Sequence, residues 1–409
     1  MNTHPLLLSF ALHVFIVSSA FGQSADVAND PIARSFKDFD KNDDGALTID
    51  EAPQAQTFRV ADANKDSRVT LQEFREFAAG RSSRRGAIDP NQPPITIASP
   101  DLSSEQRANY ELAADYAAEN NGFSLLVMVS DRIVFEQYTK GFTPDTSYRL
   151  ASGTKSFWGP LALVAQHEGL MALDETVANT LAEWKEHPRK SKITVRQLLN
   201  FTSGLFPAND VLRGPGTANK FDYVLSVPAK SEPGAQFKYG AANLFAFGEF
   251  LSRKLEAAGQ NPDPLAYLHA KILDPIGLDV DSWSRDSAGN PQMPFGAFLT
   301  ARQWAKFGQL ILHRGEHNGR RLIPADTLPQ VFEGSKANPR YGLNWWLPGA
   351  DEPHNGYRIP AGAVSANGAG RQRLIVIPSL NMVVVRQGED TRFTTAGLLE
   401  RLLRGTASN

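Results

Sequence analysis

The stretch that most constrains this chain is residues 148 to 172, where a serine and a lysine precede a long apolar run. Ser152 and Lys155 stand three residues apart, so their side chains are predicted to project from one face of a first helical turn. A lysine amine desolvated among Phe157, Trp158 and Leu161 can lose its proton and serve as the base for the serine hydroxyl. Because a lone SxxK pattern also arises by chance, the rest of the chain must decide whether Ser152 is a nucleophile.

Composition excludes several kinds of chemistry. The 409 residues suffice for two or three domains, and 42% of them are hydrophobic, which is typical of a globular protein. The chain has no cysteine, so disulfides, thiol nucleophiles, iron–sulfur clusters and thiolate zinc sites are excluded. The net charge of -2 gives no electrostatic reason to expect nucleic acid or an anionic membrane as a partner.

Residues 1 to 22 have the layout of a secretory signal peptide. An apolar core runs from Leu6 to Val17, and the small residues Ala20 and Gly22 follow it. We therefore expect cleavage after Gly22 and export to the periplasm or the extracellular space. The alternative is an uncleaved membrane anchor, for which the apolar run is short. No later segment is apolar enough to predict a membrane span after removal of the signal.

Residues 30 to 80 contain an approximate repeat of two acidic loops. Oxygen-bearing side chains occupy loop positions 1, 3, 5, 9 and 12 in both copies, namely Asp40, Asn42, Asp44, Thr48 and Glu51, then Asp62, Asn64, Asp66, Thr70 and Glu73. This spacing resembles the calcium-binding EF-hand, whose last position supplies a bidentate carboxylate to a cation that prefers oxygen. We expect a small all-α EF-hand pair that binds Ca²⁺. The alternative is an acidic helical hairpin without metal.

The two loops differ at position 6, where the chain turns sharply. Gly45 occupies this position in the first loop and Ser67 in the second. Because the turn favours glycine, we expect a strained backbone at Ser67 and a weaker second site. The hydrophobic residues at position 8, Leu47 and Val69, are predicted to pair between the loops.

A second domain is predicted after a linker. Residues 81 to 105 combine Arg, Pro, Gly and Ser without periodicity, which indicates a connection. Residues 106 to 409 begin with a helical pattern and a β-hairpin, continue with a long helical part, and end with two strands around a PSLN turn and a closing helix. This order predicts an α+β fold, in which an antiparallel sheet has helices on its faces and a helical insertion.

Two motifs, ASGTKSF at residues 151–157 and ITVRQLLNFTSGL at residues 193–205, resemble those of the serine β-lactamase and penicillin-binding superfamily, in its class C-like branch. Residues 282–324, 341–347 and 368–387 extend the resemblance, which is strongest to 6-aminohexanoate-dimer hydrolases and related carboxylesterases. It implies a β-lactamase/transpeptidase-like fold for residues 106 to 409. It also implies hydrolysis of a small ester or amide through an acyl-serine, without a catalytic cofactor.

The resemblance implies roles for individual residues. Ser152 is acylated, Lys155 acts as its base or tunes it, and Tyr239 carries a proton to the leaving group. A phenolate at Tyr239 is expected near neutral pH beside the lysine. The oxyanion is expected between the backbone amides of Ser152 and of a strand residue near Ala366. Alternative tyrosines are Tyr223, Tyr267 and Tyr341.

Two departures from the family pattern bear on the substrate. The usual Tyr-x-Asn motif ends in Ala241 here, and Asn243 is displaced by two positions. The Lys-Thr-Gly motif, which serves a substrate carboxylate, is replaced by AVSANGAG, with Arg371 or Arg373 as candidate replacements for its charge. These losses weaken the alternative of a D-alanyl peptidase or β-lactamase. A calcium-dependent binding protein with an inactive hydrolase domain is the other alternative.

Overall fold

The computed structural model describes residues 31–49, 51, 58, 61–62, 64–84, 88–213, 217–347, 357–389 and 392–404, so the predicted signal peptide lies outside the described residues. The strands are β1 Ala46–Leu47, β2 Val69–Thr70, β3 Ile95–Ala98, β4 Gly122–Val129, β5 Arg132–Tyr138, β6 Tyr148–Arg149, β7 Ser282–Trp283, β8 Ala297–Leu299, β9 Glu316–His317, β10 Arg320–Arg321, β11 Val364–Gly368, β12 Gln372–Ile377 and β13 Met382–Gly388. The helices are α1 Pro31–Phe39, α2 Leu71–Arg84, α3 Ser104–Glu119, α4 Trp158–His167, α5 Val195–Leu199, α6 Asn209–Leu212, α7 Lys220–Ser226, α8 Ala242–Ala257, α9 Pro264–Leu268, α10 Ala301–Leu312 and α11 Thr395–Arg404. Within these ranges, no helix is both long and apolar enough to cross a membrane.

A six-stranded antiparallel sheet organises the larger domain, with the strand order β11-β12-β13-β4-β5-β3. The predicted hairpin joins β4 to β5, and the predicted PSLN turn joins β12 to β13. Strand β13 pairs with β4 over seven residues, from Met382 opposite Val129 to Gly388 opposite Gly122. Strands from the two ends of the domain therefore meet at the centre of one sheet, and the long helical part is inserted between them, as predicted.

Helices cover both faces of this sheet, which explains why β4 is almost continuously apolar. Leu125 and Val127 pack with α3 and α11 on one face. Leu126 and Met128 lie on the other face, in the larger core that includes α10 and the inserted helices. Because successive side chains of a strand point to opposite faces, one apolar run supplies two cores.

The range predicted as a linker, residues 81 to 105, needs correction, because strand β3 lies within it. Ile95 pairs with Tyr138, and the ladder with β5 continues to Ala98. As the edge strand, β3 is mostly exposed, and its four residues follow Pro93 and Pro94, so its short alternation of Ile95, Thr96 and Ile97 does not stand out from the connection. Helix α3 also begins inside the predicted linker, at Ser104, because Ser103 and Gln106 form a capping box.

In the smaller domain, helices α1 and α2 flank the two acidic loops. Strands β1 and β2 pair with Leu47 opposite Val69, as predicted, and form a two-residue ribbon in an otherwise helical unit. Gly45 has φ 80° and Ser67 has φ 66°. Ser67 therefore adopts the left-handed conformation that favours glycine, which confirms the strain expected at this position.

Candidate active site

Ser152 and Lys155 lie on a 3₁₀ segment, Ala151–Phe157, that leads into α4. The turn is therefore tighter than the α-helical turn predicted, and side chains three residues apart lie above one another. Lys155 Nζ donates a hydrogen bond to Ser152 Oγ at 2.8 Å. Ala151, immediately before the serine, has φ 47°, a conformation that is unfavourable for a non-glycine residue and is concentrated at functional sites.

Lys155 is a buried amine without a carboxylate among its hydrogen-bond partners in the described residues. Its side chain donates a second hydrogen bond, to the carbonyl oxygen of Pro294 at 2.8 Å, and Nζ lies 5.0 Å from the centre of the Tyr239 ring. Burial lowers the pKa of Lys155 well below its ordinary value, and the positive charge of Arg213 lowers this pKa further. The amine can therefore be neutral and accept a proton from Ser152.

Tyr239 is the third member of this group. Ser152 adjoins its hydroxyl closely enough to lower the pKa of Tyr239, and the centre of its ring lies 6.0 Å from that of Tyr341 and 5.9 Å from that of Trp346. Burial raises the pKa of Tyr239 to about 12, although the adjoining Ser152 and the charge of Arg213 oppose the shift. The expected phenolate is therefore wrong, because the aromatic surroundings exclude the water that would solvate its charge. Tyr239 is therefore a protonated phenol at neutral pH, and it lies beside an amine that loses its proton more readily than an ordinary lysine.

The alternative tyrosines have other contacts. The Tyr267 hydroxyl donates a hydrogen bond to Glu168 at 2.8 Å, and burial raises the Tyr267 pKa. Tyr223 belongs to α7, where its carbonyl accepts a hydrogen bond from Ser226. Tyr341 adjoins Tyr239 but is fully buried, and burial raises its pKa well above the ordinary value. These positions favour Tyr239 as the tyrosine that acts with Ser152.

Strand β11 runs close to the segment that carries Ser152. At Gly368, an added Cβ would lie 2.1 Å from the carbonyl oxygen of Leu150, so only glycine permits this approach. Leu150 is two residues before the serine. The end of β11 is therefore the part of the sheet that can supply a backbone amide to an oxyanion on a Ser152 adduct.

The register of β11 decides which amide is available. Ser365 exchanges hydrogen bonds with Trp346 on the open edge of the sheet, at 2.9 Å in both directions. Successive residues of a strand turn their amides to opposite sides, so the Ala366 amide faces β12, where Ala366 lies opposite Leu374. The Asn367 amide faces the open edge. The strand-side assignment therefore moves by one residue, from Ala366 to Asn367.

The structure also places the residues involved in the two departures from the family pattern. Asn243 accepts a hydrogen bond from Ser203 in the buried part of α8, away from the nucleophile. Arg373 is buried on β12 and donates to the Thr395 hydroxyl at 2.9 Å, so it does not replace the missing lysine. Arg371 lies in the turn between β11 and β12 with φ 63°.

Arg213 is the cation that acts on the site, and the sequence reasoning missed it. It follows helix α6 and has an exposed side chain. Its charge lowers the pKa of both Lys155 and Tyr239. No motif marks this position, because Arg213 precedes a Gly-Pro-Gly run that reads as an ordinary surface loop.

The acidic loops of the smaller domain turn their carboxylates inward. Asp40 accepts hydrogen bonds from the amides of Asp44 and Gly45 at 3.1 and 2.9 Å. Glu51 accepts from both the amide and the hydroxyl of Thr48, and these bonds lower the pKa of Glu51. The second loop repeats both patterns, with Asp62 bound to the amides of Asp66 and Ser67, and Glu73 bound to Thr70.

The donor set of each loop fits the chemistry of Ca²⁺, since every side-chain ligand supplies an oxygen and three of the five in each loop are carboxylates. Asp40, Asp44 and Glu51 would hold the ion in the first loop. In the part of the chain that the structure describes, no three acidic or histidine side chains converge on one point. The carboxylates bond to the amides of their own loops, and Asp44 also pairs with Arg68 at 2.9 Å.

Comparisons with known proteins agree with this geometry. A family model described as Beta-lactamase matches residues 111–390, and one described as EF hand matches residues 54–78. A structure described as a 6-aminohexanoate-dimer hydrolase from Bacillus anthracis superposes with a TM-score of 0.57 and 19% identity, covering 71% of this chain and 79% of the other. A family VIII carboxylesterase superposes with a TM-score of 0.57 and 16% identity, covering 77% and 99%.

A curated relative adds a local similarity. Monacolin J acid methylbutanoyltransferase from Aspergillus terreus is 35% identical over 159 residues, which are 33% of this chain and 37% of the relative. The two structural similarities lie below 25% identity and show the fold alone. The Beta-lactamase model, in contrast, covers more than half of the chain and includes Ser152, Lys155 and Tyr239. The chain therefore belongs to the beta-lactamase family.

Proposed function

We propose that this protein is an exported serine hydrolase that cleaves small esters or amides through an acyl-Ser152 intermediate. One observation carries the proposal: the buried amine of Lys155 donates a hydrogen bond to Ser152 Oγ at 2.8 Å, and the hydroxyl of Tyr239 adjoins the same serine. Burial lowers the pKa of Lys155, which favours the unprotonated amine as a base. Burial also raises the pKa of Tyr239, which keeps the phenol protonated as an acid. A base and an acid beside one serine can carry out the two proton transfers that acyl transfer requires.

In the proposed acylation, Lys155 accepts the Ser152 proton as Oγ attacks the substrate carbonyl. The amides of Ser152 and Asn367 stabilise the oxyanion. The carbon–oxygen or carbon–nitrogen bond then breaks, and Tyr239 donates its proton to the leaving group. The proton held by Lys155 restores the Tyr239 hydroxyl. Water completes the cycle by attacking the acyl group, with the same groups moving protons in the reverse order.

The substrate class follows from what the site contains and lacks. The names of the structural neighbours include a 6-aminohexanoate-dimer hydrolase and a carboxylesterase, which supports a small ester or amide as the substrate. Ala241 stands where the family's asparagine would contact an amide side chain, and no lysine stands on β11. These differences favour small esters and amides over β-lactams or peptidoglycan peptides.

Calcium binding and export are further parts of the proposal. The two acidic loops share one pattern of hydrogen bonds, and the EF-hand match includes the second loop. The sequence of residues 1 to 22 supports export. The two features are compatible, because extracellular modules bind calcium with Kd values of about 10⁻⁴–10⁻³ M and are filled outside the cytosol.

A substrate panel tests this proposal. Aryl esters, alkyl esters, anilides and a chromogenic cephalosporin are incubated with wild type and Ser152→Ala, each with calcium or chelator. We expect wild type to hydrolyse the esters or anilides and Ser152→Ala to be inactive but folded. Rapid turnover of the cephalosporin would favour the β-lactamase alternative. Inactivity on the whole panel would favour a binding protein with an inactive hydrolase domain.

A further inference from the structure

An exposed cation, Arg213, acts on the site from the segment that is bonded to the turn after Tyr239. Arg213 is the one charged side chain in the described residues whose field lowers the pKa of both Lys155 and Tyr239. Tyr239 is the proposed proton donor to the leaving group, so the departing part of the substrate lies on its side of Ser152. The placement of Arg213 on the leaving-group side rests on the proposed function.

Backbone contacts fix the segment that carries Arg213. The Arg213 amide donates to the carbonyl of Asn209 at 3.0 Å, and the Asn209 side chain accepts from the Ala241 amide at 3.1 Å. The Ala242 amide also donates to the carbonyl of Pro207 at 3.2 Å. Helix α6 is thus tied to the turn that follows Tyr239. These bonds hold the backbone of Arg213 in a segment that is attached to the turn after Tyr239.

The surroundings of Arg213 suggest what it binds. Within the described residues, no ion pair joins Arg213 to an acidic side chain, so an anionic group of a ligand can pair with its guanidinium. Phe206 and Val211 of the same segment are exposed apolar side chains, 47% and 36% accessible. An aromatic or alkyl group that ends in a carboxylate fits this combination, because a guanidinium binds a carboxylate through two parallel hydrogen bonds.

We propose that Arg213 selects esters and amides whose leaving group carries a carboxylate on an apolar arm. Arg213 would then perform the recognition that the missing Lys-Thr-Gly lysine performs elsewhere in the family, but from the helical insertion and not from the sheet. The site would release a hydroxy acid or an amino acid as its first product.

Matched acetate esters of para-substituted phenols test this proposal. The leaving phenol carries a carboxylate, a carboxamide or a trimethylammonium group, and kcat/KM is measured for wild type, Arg213→Gln, Arg213→Lys and Arg213→Glu. The ratio of two substrates on one enzyme preparation is independent of the folded fraction. We expect Arg213→Gln to lower the carboxylate-to-carboxamide ratio by about tenfold, chiefly through KM. Arg213→Lys should retain part of the preference, and Arg213→Glu should favour the trimethylammonium ester.

The control is Arg132→Gln, because Arg132 is an exposed arginine that pairs with Asp101 in the hairpin turn. Its carboxylate-to-carboxamide ratio should equal that of wild type. Equal ratios in wild type, Arg213→Gln and Arg213→Glu would overturn the proposal while leaving the hydrolase intact. Hydrolysis that survives Ser152→Ala would instead overturn the proposed function itself, so the two failures are distinguishable.

Discussion

Lys155 Nζ donates hydrogen bonds to Ser152 Oγ and to the carbonyl oxygen of Pro294, each at 2.8 Å, and the lysine side chain is buried. The carbonyl of Pro294 fixes the amine but does not compensate a positive charge as a carboxylate would. Solvation therefore favours the neutral amine, and the site has its base at the cost of a desolvated polar group.

The first prediction concerns the pH dependence of stability. The pKa of Lys155 is lowered in the folded state, so between that value and about 10.5 the unfolded chain binds a proton that the folded chain lacks. Stability from this group therefore rises with pH through that window, by about 1.4 kcal/mol per pH unit. Lys155→Met lacks the titrating group, so the Tm of wild type minus the Tm of this variant should rise from pH 7 to pH 10. A difference that is constant or falls with pH would show that Lys155 stays protonated.

The second prediction concerns the leaving group. Tyr239→Phe removes the proposed acid, and general acid catalysis contributes about 10²–10⁴-fold. The loss in kcat/KM, which reports the steps up to acylation, should be large for an alkyl ester, whose alkoxide needs a proton, and small for a 4-nitrophenyl ester of the same acid. Tyr267→Phe is the control, since Tyr267 donates to Glu168 and should have no such selectivity. Equal losses on both esters in Tyr239→Phe would assign Tyr239 to positioning alone.

The third prediction concerns the approach of β11 to Leu150. Gly368→Ala would place a Cβ 2.1 Å from the Leu150 carbonyl oxygen and must displace the strand that provides the Asn367 amide. Gly122→Ala creates a similar clash, 2.4 Å from the carbonyl oxygen of Ala117, elsewhere in the sheet. Both variants should lose stability, measured by urea unfolding, but only Gly368→Ala should lose kcat per folded enzyme, by about 10²–10³-fold. Unchanged kcat in Gly368→Ala would exclude this strand from the oxyanion site.

The fourth prediction concerns calcium. Ser67 has φ 66°, so Ser67→Gly should relieve about 1 kcal/mol of strain and tighten calcium binding by the second loop about fivefold. Gly45→Ala is the matched opposite change, because Gly45 has φ 80° and an added Cβ would meet nothing within 4 Å. Gly45→Ala should weaken calcium binding by the first loop through backbone strain alone. Calorimetric titration measures both. Identical titrations with or without the substitutions, or no heat of binding in wild type, would contradict calcium binding at these loops.

The sequence predicted those parts of the molecule that depend on short-range patterns. Ser152 and Lys155 are three residues apart, the loops have a fixed spacing, and the apolar strands of the sheet centre are visible as continuous runs. Strand β3 was missed because it has only four residues and directly follows two prolines, which indicate a connection. The acylation residues could therefore be named before the fold was known.

Features that depend on tertiary contacts could not be predicted in this way. The prediction of a phenolate at Tyr239 was wrong because burial by aromatic residues that are far away in the sequence raises the pKa of Tyr239. The choice of Asn367 over Ala366 depends on the pairing of Ser365 with Trp346, and the effect of Arg213 depends on how α6 packs. Only the register and the packing contain this information.

Acylation of Ser152 is the step on which the proposed mechanism depends, and peptide mass spectrometry detects it directly. Wild type and Ser152→Ala are mixed with an excess of 4-nitrophenyl acetate, quenched in acid during turnover, and digested for peptide mass spectrometry. We predict one acetyl group on the peptide that contains Ser152 in wild type and an unmodified peptide in Ser152→Ala. Acetylation of a different residue, or undiminished turnover by Ser152→Ala, would contradict the proposed mechanism.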